Sequence, residues 1–260
     1  MTWALRRQLL YVLIIVMFFL GCAFLIIYPS VNKAPTCTDQ KQNGNEMGID
    51  CGGSCSLQCL SQVDPISILW ARSFRVVAGR YNATAYLENN NRNNVVNKIN
   101  YSFRFADANN VFIGKREGST YIPPSGKFAV FESGIDVGNS VPVYTTFEFT
   151  QVPQWVTVSQ DRVNQLKVSI SNINLANEAT SPTLSATVKN NSFLTIVDPN
   201  FIVILYDENH NAISASKTYL DKLSAEEVKD INFTWPEPMP AKVVTKEIIP
   251  LYNIFSVKLK

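Results

Sequence analysis

A chain of 260 residues with 23 Lys and Arg against 21 Asp and Glu has a formal net charge of +2, and its charges are scattered. Without a basic stripe to follow a phosphate backbone, nucleic acid is excluded as a partner. One histidine in the whole chain, and no GxSxG elbow, HExxH helix or phosphate-cradling glycine loop, removes most histidine-dependent and nucleotide-dependent enzymes as well.

The first element is the run Leu9–Tyr28, twenty residues without a charge, directly preceded by Arg6, Arg7 and Gln8. As a helix it covers about 30 Å, the thickness of a bilayer's hydrocarbon core, so the lipid bilayer is the partner expected for residues 9–28. Arg6 and Arg7 before the run outweigh Lys33 after it, which places the tail, residues 1–8, in the cytoplasm and everything downstream outside it. Two alternatives stay open. A cleaved signal peptide has an apolar core of about 7 to 15 residues, shorter than this run. Leu20, Gly21 and Cys22 look like the end of a lipobox, although Phe19 stands where an aliphatic residue belongs.

Four more cysteines, Cys37, Cys51, Cys55 and Cys59, fall in the stalk segment 35–60. Outside the cytoplasm an even count implies two disulfides, with three possible connectivities. A four-thiolate zinc site fits less well, because such sites arrange their ligands as two closely spaced pairs. Between the first two cysteines, Asp39, Asn43, Glu46 and Asp50 recur every three or four residues. They are candidate ligands for calcium, which takes six to eight oxygens from flexible loops; the alternative is a solvated, stapled turn. No other cofactor is expected. From Cys37 to Cys55 the segment resembles a cysteine-rich motif of bacterial surface proteins, C-x-D-G-x-x-N-G-x-E-x-G-x-D-C-G-G-x-C, with Gln40 in place of a glycine. The resemblance implies an extracellular spacer.

From Ile66 onward the hydrophobic period is two, as in half-buried strands: Ile66, Ile68 and Trp70, then Tyr101, Phe103 and Phe105, then Val143, Thr145, Phe147 and Phe149. The pattern repeats about one hundred residues later. Tyr101, Phe103, Phe105 and Asp107 fall on Phe201, Val203, Leu205 and Asp207, while Ile66, Ile68 and Trp70 fall on Leu166, Val168 and Ile170. Phe128 and Phe131 fall on Val228 and Ile231. With one residue of slip, Ala85–Asn90 fall on Ala186–Asn191. This predicts an all-β chain of two tandem immunoglobulin-like sandwiches, residues 64–152 and 164–260, joined through 152–163. Asp107 and Asp207 are expected to accept backbone N–H groups in the turn after each strand.

Val203–Asp207 is similar to the F-x-L-Y-D signature of a family of bacterial extracytoplasmic sandwich domains. Val203 replaces the phenylalanine, and the first copy reads Phe103-Arg104-Phe105-Ala106-Asp107. The resemblance implies a fold and a compartment, not an activity.

Nothing else in the chain looks catalytic. His210 sits in a predicted hairpin, and Glu226 and Glu227 are adjacent and would point to opposite faces of a strand. Trp155 and Trp235 are candidates either to cover core ends or to form a contact surface. The layout therefore predicts a non-catalytic membrane-anchored protein that binds or scaffolds a cell-envelope protein or glycan. A structural subunit of an envelope transport or secretion assembly is the alternative, and an enzyme the remote one.

Overall fold

The computed structural model describes residues 3–31 and 34–259, with backbone alone for residues 5, 29–31 and 258–259. Lys33, the charge after the apolar run, lies outside the described residues. The chain divides into two compact units, residues 1–55 and 56–260.

The first unit contains α1, Trp3–Val31, a 29-residue helix. Its stretch Arg6–Tyr28 has a mean hydropathy of 3.0 and buries nothing inside the protein. A helix that is this apolar and this long fits a membrane anchor or a signal sequence. Residues 34–55 are a chain of turns with one isolated antiparallel bridge, Gly48 to Cys51.

The second unit is built from antiparallel strands. Its first half has β1 (Ser67–Val77), β2 (Arg80–Asn89), β3 (Asn94–Ala106), β4 (Phe112–Ile122), β5 (Gly126–Asp136), β6 (Tyr144–Phe149) and β7 (Trp155–Thr157). After the six-residue helix α2 (Gln160–Gln165), capped by Ser159, come β8 (Val168–Ala176), β9 (Thr183–Asn190), β10 (Leu194–Val197), β11 (Asn200–Tyr206), β12 (Ala212–Tyr219) and β13 (Lys222–Leu223). The last three are β14 (Val228–Thr234), β15 (Thr245–Leu251) and β16 (Lys258–Leu259). The stretch read as a connection thus supplies β7, which pairs with the start of β3.

One sandwich is sheet β1-β2-β5 against sheet β4-β3-β6, and the other is β14-β9-β8 against β12-β11-β15. The two sandwiches are stacked rather than merely joined. Ile202, Ile204, Ala212, Ala215, Ile249 and Leu251 belong to the same apolar cluster as the first sandwich's core, whereas Phe201, Val203 and Leu205 fill the second core. Four sheets therefore lie in the order β4-β3-β6, β1-β2-β5, β12-β11-β15, β14-β9-β8. Their two middle layers are covered on both faces, which is why β11 is a continuous apolar run instead of an alternating one.

Strand pairing corrects the repeat in one sheet. Trp70 pairs with Tyr86, while Ile170 pairs with Val188, the counterpart of Leu87; the partner of Leu87 is Ile68. Likewise Ile231 pairs with Ala186, whose counterpart Ala85 pairs with Val130, not Phe131. A β-bulge between Ile68 and Trp70 moves the register of β1, and a one-residue slip exchanges the two faces of a strand. The matches Trp70 to Ile170 and Phe131 to Ile231 therefore do not hold, while Phe103 to Val203 and Phe105 to Leu205 do.

Candidate functional site

The cysteine segment is closed by its own hydrogen bonds. Cys37 and Cys55 form a disulfide with a Cα–Cα distance of 5.7 Å, and Cys51 and Cys59 are disulfide-bonded as well, which leaves Cys22 as a free thiol. Inside the loop, both oxygens of Asp50 accept the N–H of Gln40, at 3.1 and 2.9 Å. Asp39 accepts the Lys41 N–H at 3.0 Å and the Asn43 amide at 2.8 Å. Glu46 Oε2 accepts the N–H groups of Asn43 and Asp50, at 3.3 and 3.2 Å. The amide of Asn43, followed by the backbone N–H groups, holds the Asp39 carboxyl below its usual range.

The carboxylates of Asp39, Glu46 and Asp50 are thus turned onto the loop's own donors, while Asn43 donates its amide to Asp39 and its Oδ1 is buried without a hydrogen-bond partner among the described residues. Among the described residues, Asp39, Glu46 and Asp50 do not converge on a common point; the one convergent group is Cys37, Glu46 and Cys55. Its two sulfurs are bonded to each other and so are not the thiolates that hold metals. Gln40, at the expected glycine position, has a left-handed backbone with φ of 60°, fixed by Asp50. Gly53, also left-handed, lies so close to the Asn45 carbonyl that no Cβ fits.

Matching turns close the ends of the two sandwiches. Asp107 Oδ1 accepts the N–H groups of Asn109 and Val111 at 2.9 and 2.8 Å, and Asp207 Oδ1 accepts those of Asn209 and Asn211 at the same distances. Asn110 and His210 occupy the same left-handed position, φ 62° and 61°. His210 is a turn residue in an exposed hairpin.

Sequence reasoning missed a second matched pair. Asn89 and Asn190 are fully buried, and each spends its amide on carbonyls of crossing segments: Asn94 and Pro123 for the first, Leu194, Leu223 and Ser224 for the second. Their coincidence in the repeat was the available signal. Asn190 also begins an N-x-S sequon, and its burial removes it as a glycan acceptor.

The junction between the sandwiches also carries polar contacts. Glu247 on β15 accepts from the Tyr86 hydroxyl at 2.6 Å and from the Tyr206 hydroxyl at 2.9 Å, while Arg72 donates to the Ala212 carbonyl at 3.3 Å. Burial first, then the Glu247 carboxylate, pushes both phenols well above their ordinary range, so they stay protonated donors. Glu132 plays a similar part inside the first sandwich, accepting from Tyr101 and Arg116. Gly118 opposite Tyr101 leaves room for that ring, since a Cβ there would meet the Tyr101 hydroxyl at 2.5 Å.

Trp155 and Trp235 are both buried, one in each core. Beside Trp235, a cleft of about 550 Å³ runs between the sandwiches, with Arg72, Arg75, Pro142 and Glu237 on its walls; Arg75 and Glu237 pair across 3.4 Å. None of these groups forms a nucleophile with a base to activate it.

No family model matches the chain, and no curated protein does. Among solved structures it is similar to red sea bream transglutaminase, at 8% identity and a TM-score of 0.23, over 73% of this chain and 31% of that one. It is also similar to the C-terminal globular domain of an oligosaccharyltransferase from Pyrococcus abyssi, at 13% identity and a TM-score of 0.16, over 75% of this chain and 47% of that one. The chain thus spans less than half of either, and likenesses this weak carry no argument about activity.

Proposed function

We propose that this is a non-catalytic, single-pass envelope protein, held by α1 with residues 1–8 in the cytoplasm, whose stacked sandwiches bind or scaffold another envelope component. The observation that carries the reading is α1, whose stretch Arg6–Tyr28 has a mean hydropathy of 3.0 and is not buried. The disulfides after it suit an oxidising compartment. Glu247, Glu132 and both aspartate turns are spent on structural hydrogen bonds, which supports binding without turnover. The resemblances of the cysteine segment and of Val203–Asp207 to bacterial surface modules point to the same compartment.

The test is protease protection of the full chain in spheroplasts. Digestion of the domain from outside, with a short membrane-embedded fragment surviving, is the expected result. Protection of the domain until lysis would reverse the orientation, and recovery of the intact chain in the soluble fraction would remove the anchor. Exchanging residues 9–28 for an unrelated apolar helix should leave partner binding intact; its loss would favour an assembly subunit whose span packs against other spans.

A further inference from the structure

We infer that the end of the sandwich unit where the chain enters it is a lipid-seating surface, lying on the bilayer that holds α1; this rests on the anchor reading above.

Four observations place an apolar surface at that end. First, the chain enters at Ser56 and is pinned at once: Leu57 bridges Val156, and the Gln58 N–H donates to the Trp155 carbonyl at 2.9 Å. Second, next to this pin lies an open groove of about 600 Å³ whose walls are chiefly Leu60, Val63, Pro65, Val152, Pro153 and Trp155. Leu60 and Val152 are 57% and 66% exposed. Third, the groove is preformed, because the buried Asn91 amide both donates to the Asp64 carbonyl and accepts from its N–H, at 2.8 Å each. Fourth, the same end is closed by the cluster Val95, Val158, Leu166, Ile196 and Ile254. Phe255, exposed, directly follows Ile254 of that cluster, and Phe193, 79% exposed, directly precedes Leu194, which packs against it.

The covalent path selects the occupant. From the last residue of α1 to Cys37 there are six residues, at most about 20 Å of chain. The bridge then replaces the 18-residue loop by 5.7 Å, and Ser56 follows Cys55 directly. Helix α1 has 29 residues, or about 43 Å, more than the hydrocarbon core needs. The short path keeps the entry end of the unit within reach of the head groups, where a mixed aliphatic and aromatic surface with a single charged lining residue, Asp64, partitions favourably. The opposite end also exposes apolar side chains, Val111 and Phe112 among them, but the 13 residues of β3 put it about 40 Å further away.

The full chain, with p-benzoylphenylalanine in place of Val152, Leu60 or Val111 in three separate preparations, would be reconstituted in phosphatidylethanolamine and phosphatidylglycerol vesicles. Flotation is measured first, then photo-adducts by mass spectrometry. Lipid adducts at positions 152 and 60 with none at 111 are the expected result. Flotation without lipid adducts at 152 and 60, equal adducts at all three positions, or crosslinks to a second copy of the chain would overturn the seating surface while leaving the anchor intact. Failure to float would overturn both.

Discussion

Equivalent strands of the two sandwiches meet different surroundings, and the difference explains where the repeat has diverged. In the first copy β3 belongs to an outer sheet; in the second its counterpart β11 belongs to a middle one. Both strands send one face into their own core, Phe103 and Phe105 in one, Val203 and Leu205 in the other. Their other faces differ: Arg104 is exposed, while Ile204 is fully buried against the first sandwich. The relation is inverted for the partner sheets, where Tyr86 is buried at the junction and its counterpart Thr187 sits on an outer sheet and donates to Asp230. The sandwiches pack front to back. A duplicated module stacked in this way must make one sheet apolar on both faces in each copy, and a different sheet each time.

Exchanging the diverged residues breaks the comparison most sharply. Ile204→Arg puts an unpaired charge between the sandwiches and should cost several kcal/mol, whereas Arg104→Ile should stay within about 0.5 kcal/mol, both read by thermal or urea unfolding. Similar losses for both would refute front-to-back stacking.

The matched asparagines test the other side, what the copies share. Asn89→Ala and Asn190→Ala each strand buried carbonyls and should destabilise by about 1 to 3 kcal/mol apiece. A loss confined to one copy would mean that the two sites are not equivalent.

Glu247→Gln leaves one acceptor oxygen for two phenols, so unfolding should show a drop of about 1 to 2 kcal/mol. The junction also has a pH signature. Folded Tyr86 and Tyr206 hold their protons more tightly than the unfolded chain does, so their contribution is whole below about pH 10 and fades as pH rises beyond it. Burial pushes Tyr252 up to about 12, which adds to the same alkaline loss between about pH 10 and 12. Stability flat through that window would contradict the junction.

The smallest effect belongs to the hairpin turns. The Asn211 N–H, foremost, holds the Asp207 carboxyl below its usual range, so its contribution is present above about pH 4 and is lost as pH falls through the lowered value. Asp207→Asn should remove that acid dependence, measurable as a melting temperature that falls less steeply as the buffer is taken below about pH 4.

Much of this was legible in the residues. Asp107 and Asp207 showed as turns because an aspartate two residues before an asparagine can satisfy its own backbone, a local rule. The disulfide-rich segment was legible from cysteine number alone. Asp39, Asn43, Glu46 and Asp50 recur regularly, yet which backbone N–H groups the three carboxylates turn to is fixed by a fold that spacing does not encode. The register of β1 was misread for a similar reason, since a bulge moves every residue after it while leaving the alternation unchanged.

By itself, then, the sequence determined the apolar helix, the cysteine staples, the strand period and the duplication, because each is a local or periodic property of the chain. Only the tertiary structure decided that the sandwiches stack front to back, that Glu247 joins them through Tyr86 and Tyr206, and that one end of the unit is apolar. Those contacts join residues far apart in the chain, Tyr206 and Glu247 by 41 positions and Tyr86 and Glu247 by 161, and no period of two or 3.6 carries information over such separations.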